Sequence, residues 1–307
     1  MNIEKCNLVW GKMMFEMQIL LLCLITVGFL TAKFNIVDSN SRASLTELIL
    51  NVFLPCTILA SFLGTDRSEI LSLGILVIIS LFTLAFSLGM AYLLFRKNKP
   101  EVRKVLFYAM LIPNASFLGF PLIEGIYGMG GLSYAAAYLI PLRAAIWSGG
   151  QTIFTGGKGD LKKVIFHPSM IATYTGIIFM LTGFSPPKLI HTLSEILGSC
   201  TTPLSMMVVG CVLGQIKIKN LLSPIIFYYS FIRLIIMPLL IFGILYFFRF
   251  MPIITGISVI LAGTPAGVTT AILAEKYGSD SELASKLVFV STILSMITIP
   301  ILVMLIG

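Results

Sequence analysis

Charged residues are scarce in this chain: Asp, Glu, Lys and Arg make up 11% of its 307 residues. A soluble domain carries roughly 25%, so a water-soluble globule is excluded. No segment between the apolar runs is long enough to form a soluble domain, which places the function inside an apolar bundle. Histidine is limited to His167 and His191, both near the ends of apolar runs and read as interfacial groups rather than proton relays. The five cysteines, Cys6, Cys23, Cys56, Cys200 and Cys211, are odd in number and lack metal-type spacing. They read as small buried hydrophobes, and neither a metal nor a cofactor is expected. HExxH, GxSxG and Walker A motifs are absent, and no apolar run carries paired aspartates. Nothing sets a nucleophile beside a base, so an enzyme is not expected, and neither is an ATP-driven pump.

Apolar residues dominate what remains. The chain is 57% hydrophobic, with a mean hydropathy of +1.00, as in a polytopic membrane protein surrounded by lipid. Ten spans are expected, at about 17–34, 45–64, 70–95, 104–127, 131–154, 164–184, 189–214, 222–248, 252–277 and 286–306. Each is close to the ~20 residues that a bilayer requires. Lys5 and Lys12 precede the first run as in a signal peptide, but 17–32 lacks a cleavage site and reads as the first helix.

The net charge of +8 sits in short loops between spans, which argues for membrane topology and against a nucleic-acid partner. With the loop at 96–104 inside, fourteen basic residues fall on the inner side: Lys33, Arg42, Arg96, Lys97, Lys99, Arg103, Lys104, Lys158, Lys162, Lys163, Lys217, Lys219, Lys276 and Lys286. Five fall outside: Lys5, Lys12, Arg67, Lys188 and Arg249. The positive-inside bias therefore puts both termini outside, in a multi-pass protein of the plasma (inner) membrane.

Two spans are interrupted. Residues 110–128, MLIPNASFLGFPLIEGIYG, carry Pro113, Asn114, Gly119 and Pro121. Residues 261–278, LAGTPAGVTTAILAEKYG, carry Gly263, Thr264, Pro265, Gly267, Thr269 and Thr270, and both stretches close on Tyr-Gly. Interrupted spans at matching places in two halves point to a transporter binding site. Ten spans split into five and five, so the second copy must enter from the opposite side. The expected organisation is an all-α inverted repeat: residues 1–155, a basic cytoplasmic hinge at 156–163, and residues 164–307. Pro55 and Gly64 in span 2 match Pro203 and Gly214 in span 7.

The pattern PNxxxLGxPLxxGxYG in span 4, the Ile146-Trp147 pair and GxPxG…AxxYG in span 9 resemble the auxin efflux carrier family, which includes bacterial malate- and malonate-permease-like proteins and the plant PIN carriers. The resemblance covers essentially the whole chain. The short hinge, in place of the large loop of many plant members, favours the compact bacterial type. It implies a fold like the bile-acid/sodium symporters, with broken helices 4 and 9 crossing and a scaffold face that pairs in a homodimer. Spans 1, 2, 6 and 7 would be scaffold, and spans 3–5 and 8–10 would carry the site. It also implies transport of a small carboxylate, with Asn114, Pro121 and Pro265 forming the site. Plant members have a second proline five residues after Pro265, where this chain has Thr270.

Half-helices that begin at a break expose free N–H groups and about half a positive charge, enough to attract a carboxylate. Asn114 would add an amide donor, and Thr264 or Thr269 a hydroxyl; packing between helices, or a bond to its own backbone for a threonine, is the alternative for each. Arg143 follows Pro141 in span 5 and would clamp a second carboxylate, unless it pairs with Glu124 or reaches to the surface. Arg233 in span 8 is a weaker candidate for a substrate contact, with a buried pair to Glu195 as the alternative. Glu124 and Glu275, near opposite ends of spans 4 and 9, are candidates for proton coupling; Glu47 and Glu195 are weaker ones.

The expectation is a secondary carrier of a small organic anion by alternating access. Malate, malonate, another dicarboxylate and an indole-type monocarboxylate all fit a dipole-lined site. The rivals are a sodium-coupled bile-acid-type symporter, which needs an acid at the depth of the crossing, and a non-transporting sensor on a carrier fold.

Overall fold

The computed structural model describes residues 3–146, 150–157, 161–215 and 223–306, and among them every regular element is helical. In chain order these are α1 (Ile3–Lys33), α2 (Ser39–Leu48), α3 (Leu54–Leu63), α4 (Ile70–Phe95), α5 (Pro100–Leu111), α6 (Phe120–Ala145), α7 (Gln151–Thr155) and α8 (Leu161–Ile165). The second half holds α9 (Pro168–Thr182), α10 (Lys188–Ser199), α11 (Thr201–Gln215), α12 (Pro224–Phe231), α13 (Met237–Phe247), α14 (Pro252–Ala262), α15 (Thr269–Lys276) and α16 (Ser281–Ile306). Six stretches among the described residues are long and apolar enough to cross a membrane: Glu16–Lys33, Asn40–Leu63, Arg67–Phe95, Lys188–Gly214, Pro224–Phe247 and Ser281–Ile306. Pro168–Thr182 and Pro252–Ala262 are shorter apolar helices. Leu71, Leu189 and Phe247 are each more than 70% exposed, a surface that suits lipid rather than water. The chain is a polytopic membrane protein.

Prolines set the irregularities. A π turn at Ile49–Phe53 precedes Pro55, one at Ala115–Gly119 precedes Pro121, and one at Ile232–Ile236 precedes Pro238. Each ends two residues before its proline. The ring lacks an N–H and collides with the carbonyl four residues back, so the helix widens by one residue to make room.

Small residues let the helices approach closely. A Cβ on Gly28 of α1 would lie 2.0 Å from the Met207 carbonyl oxygen, and one on Gly210 of α11 would lie 2.0 Å from that of Ile25. Those glycines let the α1 and α11 backbones touch. Around α3, a Cβ on Gly176 of α9 would meet the Phe62 side chain at 2.7 Å, and one on Gly198 of α10 would meet the Thr57 backbone at 3.0 Å. The Thr57 and Thr201 hydroxyls share a 2.7 Å hydrogen bond where spans 2 and 7 meet.

α4 spans 70–95 as expected, α1 begins well before the expected 17, and α6 crosses the expected boundary between spans 4 and 5 with a kink at Gly128, where φ is 66° and ψ −166°. Three further expectations need correction. The last helix begins at Ser281, so Lys286 is buried inside it and pairs with Glu282 at 2.5 Å instead of lying in a loop. Of the cysteines whose exposure is described, Cys211 is buried, Cys56 and Cys200 are half-buried and Cys23 is exposed, because Cys23 faces outward from α1. His191 and Glu195 pair with each other at 3.3 Å along α10. Trp147, Lys158, Lys217 and Lys219, with part of the 156–163 hinge, lie outside the described residues.

Candidate substrate site at the helix crossing

The two interrupted stretches meet. After α5 ends, Ile112–Asn114 runs without helix, and after α14 the same holds for Gly263–Val268. Pro113 and Ala266 form an isolated antiparallel bridge. The Asn114 amide donates to the Pro265 carbonyl at 2.8 Å, and the Gly267 amide donates to the Ile112 carbonyl at 3.1 Å. Each break thus satisfies backbone groups that the other has freed, as buried groups require. The Ala266 amide is held by Ser291 Oγ of α16 at 3.1 Å.

Close contact is what the glycines provide. A Cβ on Gly267 would lie 2.9 Å from the Ile112 carbonyl oxygen, a backbone atom that cannot step aside. One on Gly119 would lie 2.6 Å from Leu261 Cδ2, and one on Gly263 2.9 Å from Leu302 Cδ1.

Both second half-helices begin uncapped. Asn114 occupies the N-cap of the Ala115–Gly119 turn and Val268 that of α15, and neither makes a side-chain cap bond. Asn114 is 3% exposed, and its Nδ2 has no partner. The partial positive charge of two helix N-termini and an unpaired amide donor therefore converge at the crossing.

The other expected residues divide. Thr264 donates its hydroxyl to the Leu261 carbonyl at 2.7 Å, beside its own amide at 3.4 Å, so this hydroxyl is already committed to its own backbone. Thr269 accepts from Tyr108 Oη at 3.1 Å, which leaves its own proton available. The hydroxyl of buried Thr270 has no partner. Pro121 sits in the first turn of α6 and shapes the π turn before it.

Arg143 is 5% exposed in α6 and bonds Thr173 of α9 through Nη1 at a long 3.5 Å, while its Nη2 has no partner. It neither reaches the surface nor pairs with Glu124, which instead accepts from Thr202 Oγ1 of α11 at 2.6 Å. Glu275 is exposed at the end of α15, away from the crossing. No group of three or more His, Cys, Asp or Glu could hold a metal ion among the described residues.

Arg233 is the residue that sequence reasoning misplaced. It does not pair with Glu195; it is 1% exposed and donates to carbonyls on both breaks, Met110 through Nη1 and Thr264 through Nε, each at 3.1 Å. Its place in an apolar span five residues before Pro238 was a visible signal, but the partners are backbone carbonyls, which no side-chain pattern displays. A crevice beside the crossing is lined by Thr83, Ser87, Pro113, Tyr138 and Arg233 and has room for about one water.

The model of the membrane transport protein family matches residues 13–164 and again 157–303. The chain belongs to this family. An uncharacterized transporter of Methanothermobacter thermautotrophicus is 29% identical over 291 residues, covering 93% of this chain and 96% of that protein. An uncharacterized transporter of Methanocaldococcus jannaschii is 26% identical, over 92% and 96% of the two chains. A Rhizobium meliloti protein named "Putative malonate transporter" is 25% identical over 142 residues, 46% of this chain and 44% of that one. Family and fold agree with the auxin efflux carrier resemblance, and the family and its relatives are membrane transporters rather than enzymes.

Proposed function

We propose that the chain is a secondary carrier of a small organic anion, a carboxylate of the malonate, malate or auxin type, bound at the crossing of the two broken spans. The observation that carries this reading is the pair of uncapped helix N-termini brought together by the Pro113–Ala266 bridge, with the unpaired side-chain amide of Asn114 at one of them. Such a site attracts a carboxylate without a full cationic side chain. The buried residues include Arg143 and Arg233 and no acid among the described ones, which favours an anion over a sodium ion. The name of the Rhizobium meliloti relative points the same way.

The carrier is read as ten spans in two inverted repeats, 1–155 and 164–307, joined by the 156–163 hinge, with both termini outside the plasma membrane. The reciprocal packing of α1 on α11 and α9 on α3 supports it, as does a family model that matches twice. Arg143, with a free Nη2 against the scaffold helix α9, is the second carboxylate contact, which makes a dicarboxylate the preferred cargo. The crevice holds roughly one water, far less than a dicarboxylate needs. Substrate therefore enters only when the crossing moves relative to the scaffold. Proton coupling and a scaffold-face dimer complete the proposal.

Uptake of radiolabelled malate, malonate and indole-3-acetate into proteoliposomes, with and without an inward proton gradient, tests it. Gradient-stimulated uptake of one acid supports the reading. Binding in detergent with no uptake of any acid overturns it in favour of a sensor.

A further inference from the structure

A proline inside a helix strands the carbonyl four residues before it. Pro113 strands the Ala109 carbonyl, and Tyr229 Oη of α12 donates to it at 2.8 Å. The Met110 carbonyl would next be met by the Asn114 amide, but that amide has turned to Pro265. Arg233 Nη1 takes its place at 3.1 Å. The same guanidinium then reaches across the crossing, with Nε on the Thr264 carbonyl at the end of α14. Tyr229 and Arg233 are four residues apart, on one face of the α12 helix and the π turn that follows it.

A buried guanidinium in a membrane costs several kcal/mol unless something compensates it. No carboxylate pairs with Arg233 among the described residues; its partners are backbone carbonyls. The compensation lies in the helix ends. Arg233 contacts the Met110 carbonyl in the last turn of α5 and the Thr264 carbonyl two residues beyond α14, beside two helix C-termini that are each equivalent to about half a negative charge. One cation thus balances two half-helices. Their negative ends are silenced, and the uncapped N-termini remain as the charge a substrate meets.

We infer that Arg233 is a positioning residue of the carrier: its single guanidinium binds both breaks into one body that moves as a unit. The inference rests on the crossing as transport site for its role in transport, but the clamp itself is read by hydrogen exchange, independently of any substrate. In the unsubstituted protein, the Asn114 and Gly267 amides should exchange at one common rate, because one clamp holds both. In Arg233→Lys, which keeps the charge and loses the two-pronged reach, both amides should exchange at least about tenfold faster, with the Thr57–Gly198 region unchanged. Uptake by that variant should show a maximal rate about tenfold lower with KM within about threefold. Rates for the two amides that differ by more than about tenfold in the unsubstituted protein would overturn the inference. So would acceleration at one break alone, or spread evenly through the scaffold. A raised KM with an unchanged maximal rate would make Arg233 a substrate ligand instead.

Discussion

The Asn114 backbone amide donates to the Pro265 carbonyl at 2.8 Å, one of two backbone hydrogen bonds that join breaks from opposite halves of the chain. That bond fixes the Asn114 backbone and leaves its side chain free, with Nδ2 buried and unpartnered. A buried donor without a partner is costly, by about 1–3 kcal/mol, and the proposed anion at the crossing would remove that cost.

Asn114→Ala removes a donor that caps nothing and bonds nothing in the protein. The fold should be retained, with a Tm within a few degrees of the parent. Affinity for the transported acid should fall about tenfold, the worth of one charge-assisted hydrogen bond. Scintillation-proximity binding on purified protein measures it, and unchanged affinity removes Asn114 from the site.

Gly267→Ala places a methyl 2.9 Å from the Ile112 carbonyl oxygen. Backbone is on both sides of that contact, so relief requires the two breaks to separate. Overpacking of this kind costs roughly 1–3 kcal/mol, and the Gly267–Ile112 hydrogen bond should be lost with it. Gly243→Ala in α13 is the control, because its new methyl meets nothing within 4 Å. The expected outcome is a lowered Tm and abolished uptake for the first and near-parental values for the second.

Arg143→Gln tests the second carboxylate contact. Its free Nη2 is the group at stake, since Nη1 already leans on Thr173. Uptake of dicarboxylates should fall at least about tenfold, while a monocarboxylate loses less than about threefold. Equal losses for both classes, read in competition assays, would remove Arg143 from substrate recognition.

What the sequence made legible was punctuation. Pro113, Pro121, Gly263, Pro265 and Gly267 announced two breaks, because proline and glycine act through the backbone and their effect is local. The apolar runs located the helices for the same reason. How the breaks are held was not legible. Tyr229 and Arg233 serve carbonyls more than a hundred residues away, and a carbonyl looks the same at every position of a sequence. Glu124 was visible as an acid near a span end; its bond to Thr202 was not, because it depends on how α6 lies against α11.

That bond joins the helix leaving the crossing to α11, so in the proposed alternating access it would be broken or remade. The Glu124 carboxylate accepts the Thr202 hydroxyl at 2.6 Å. Glu124→Gln keeps the shape and removes the charge change. If Glu124 couples protons to movement, its glutamine variant should lose gradient-driven uptake while retaining substrate exchange at zero gradient, where no net proton movement is needed. Thr202→Val, which breaks the contact and leaves the acid, should keep its response to the gradient. Proteoliposome uptake and counterflow measured side by side separate the two, and a glutamine variant that still responds fully to the gradient would assign the coupling elsewhere.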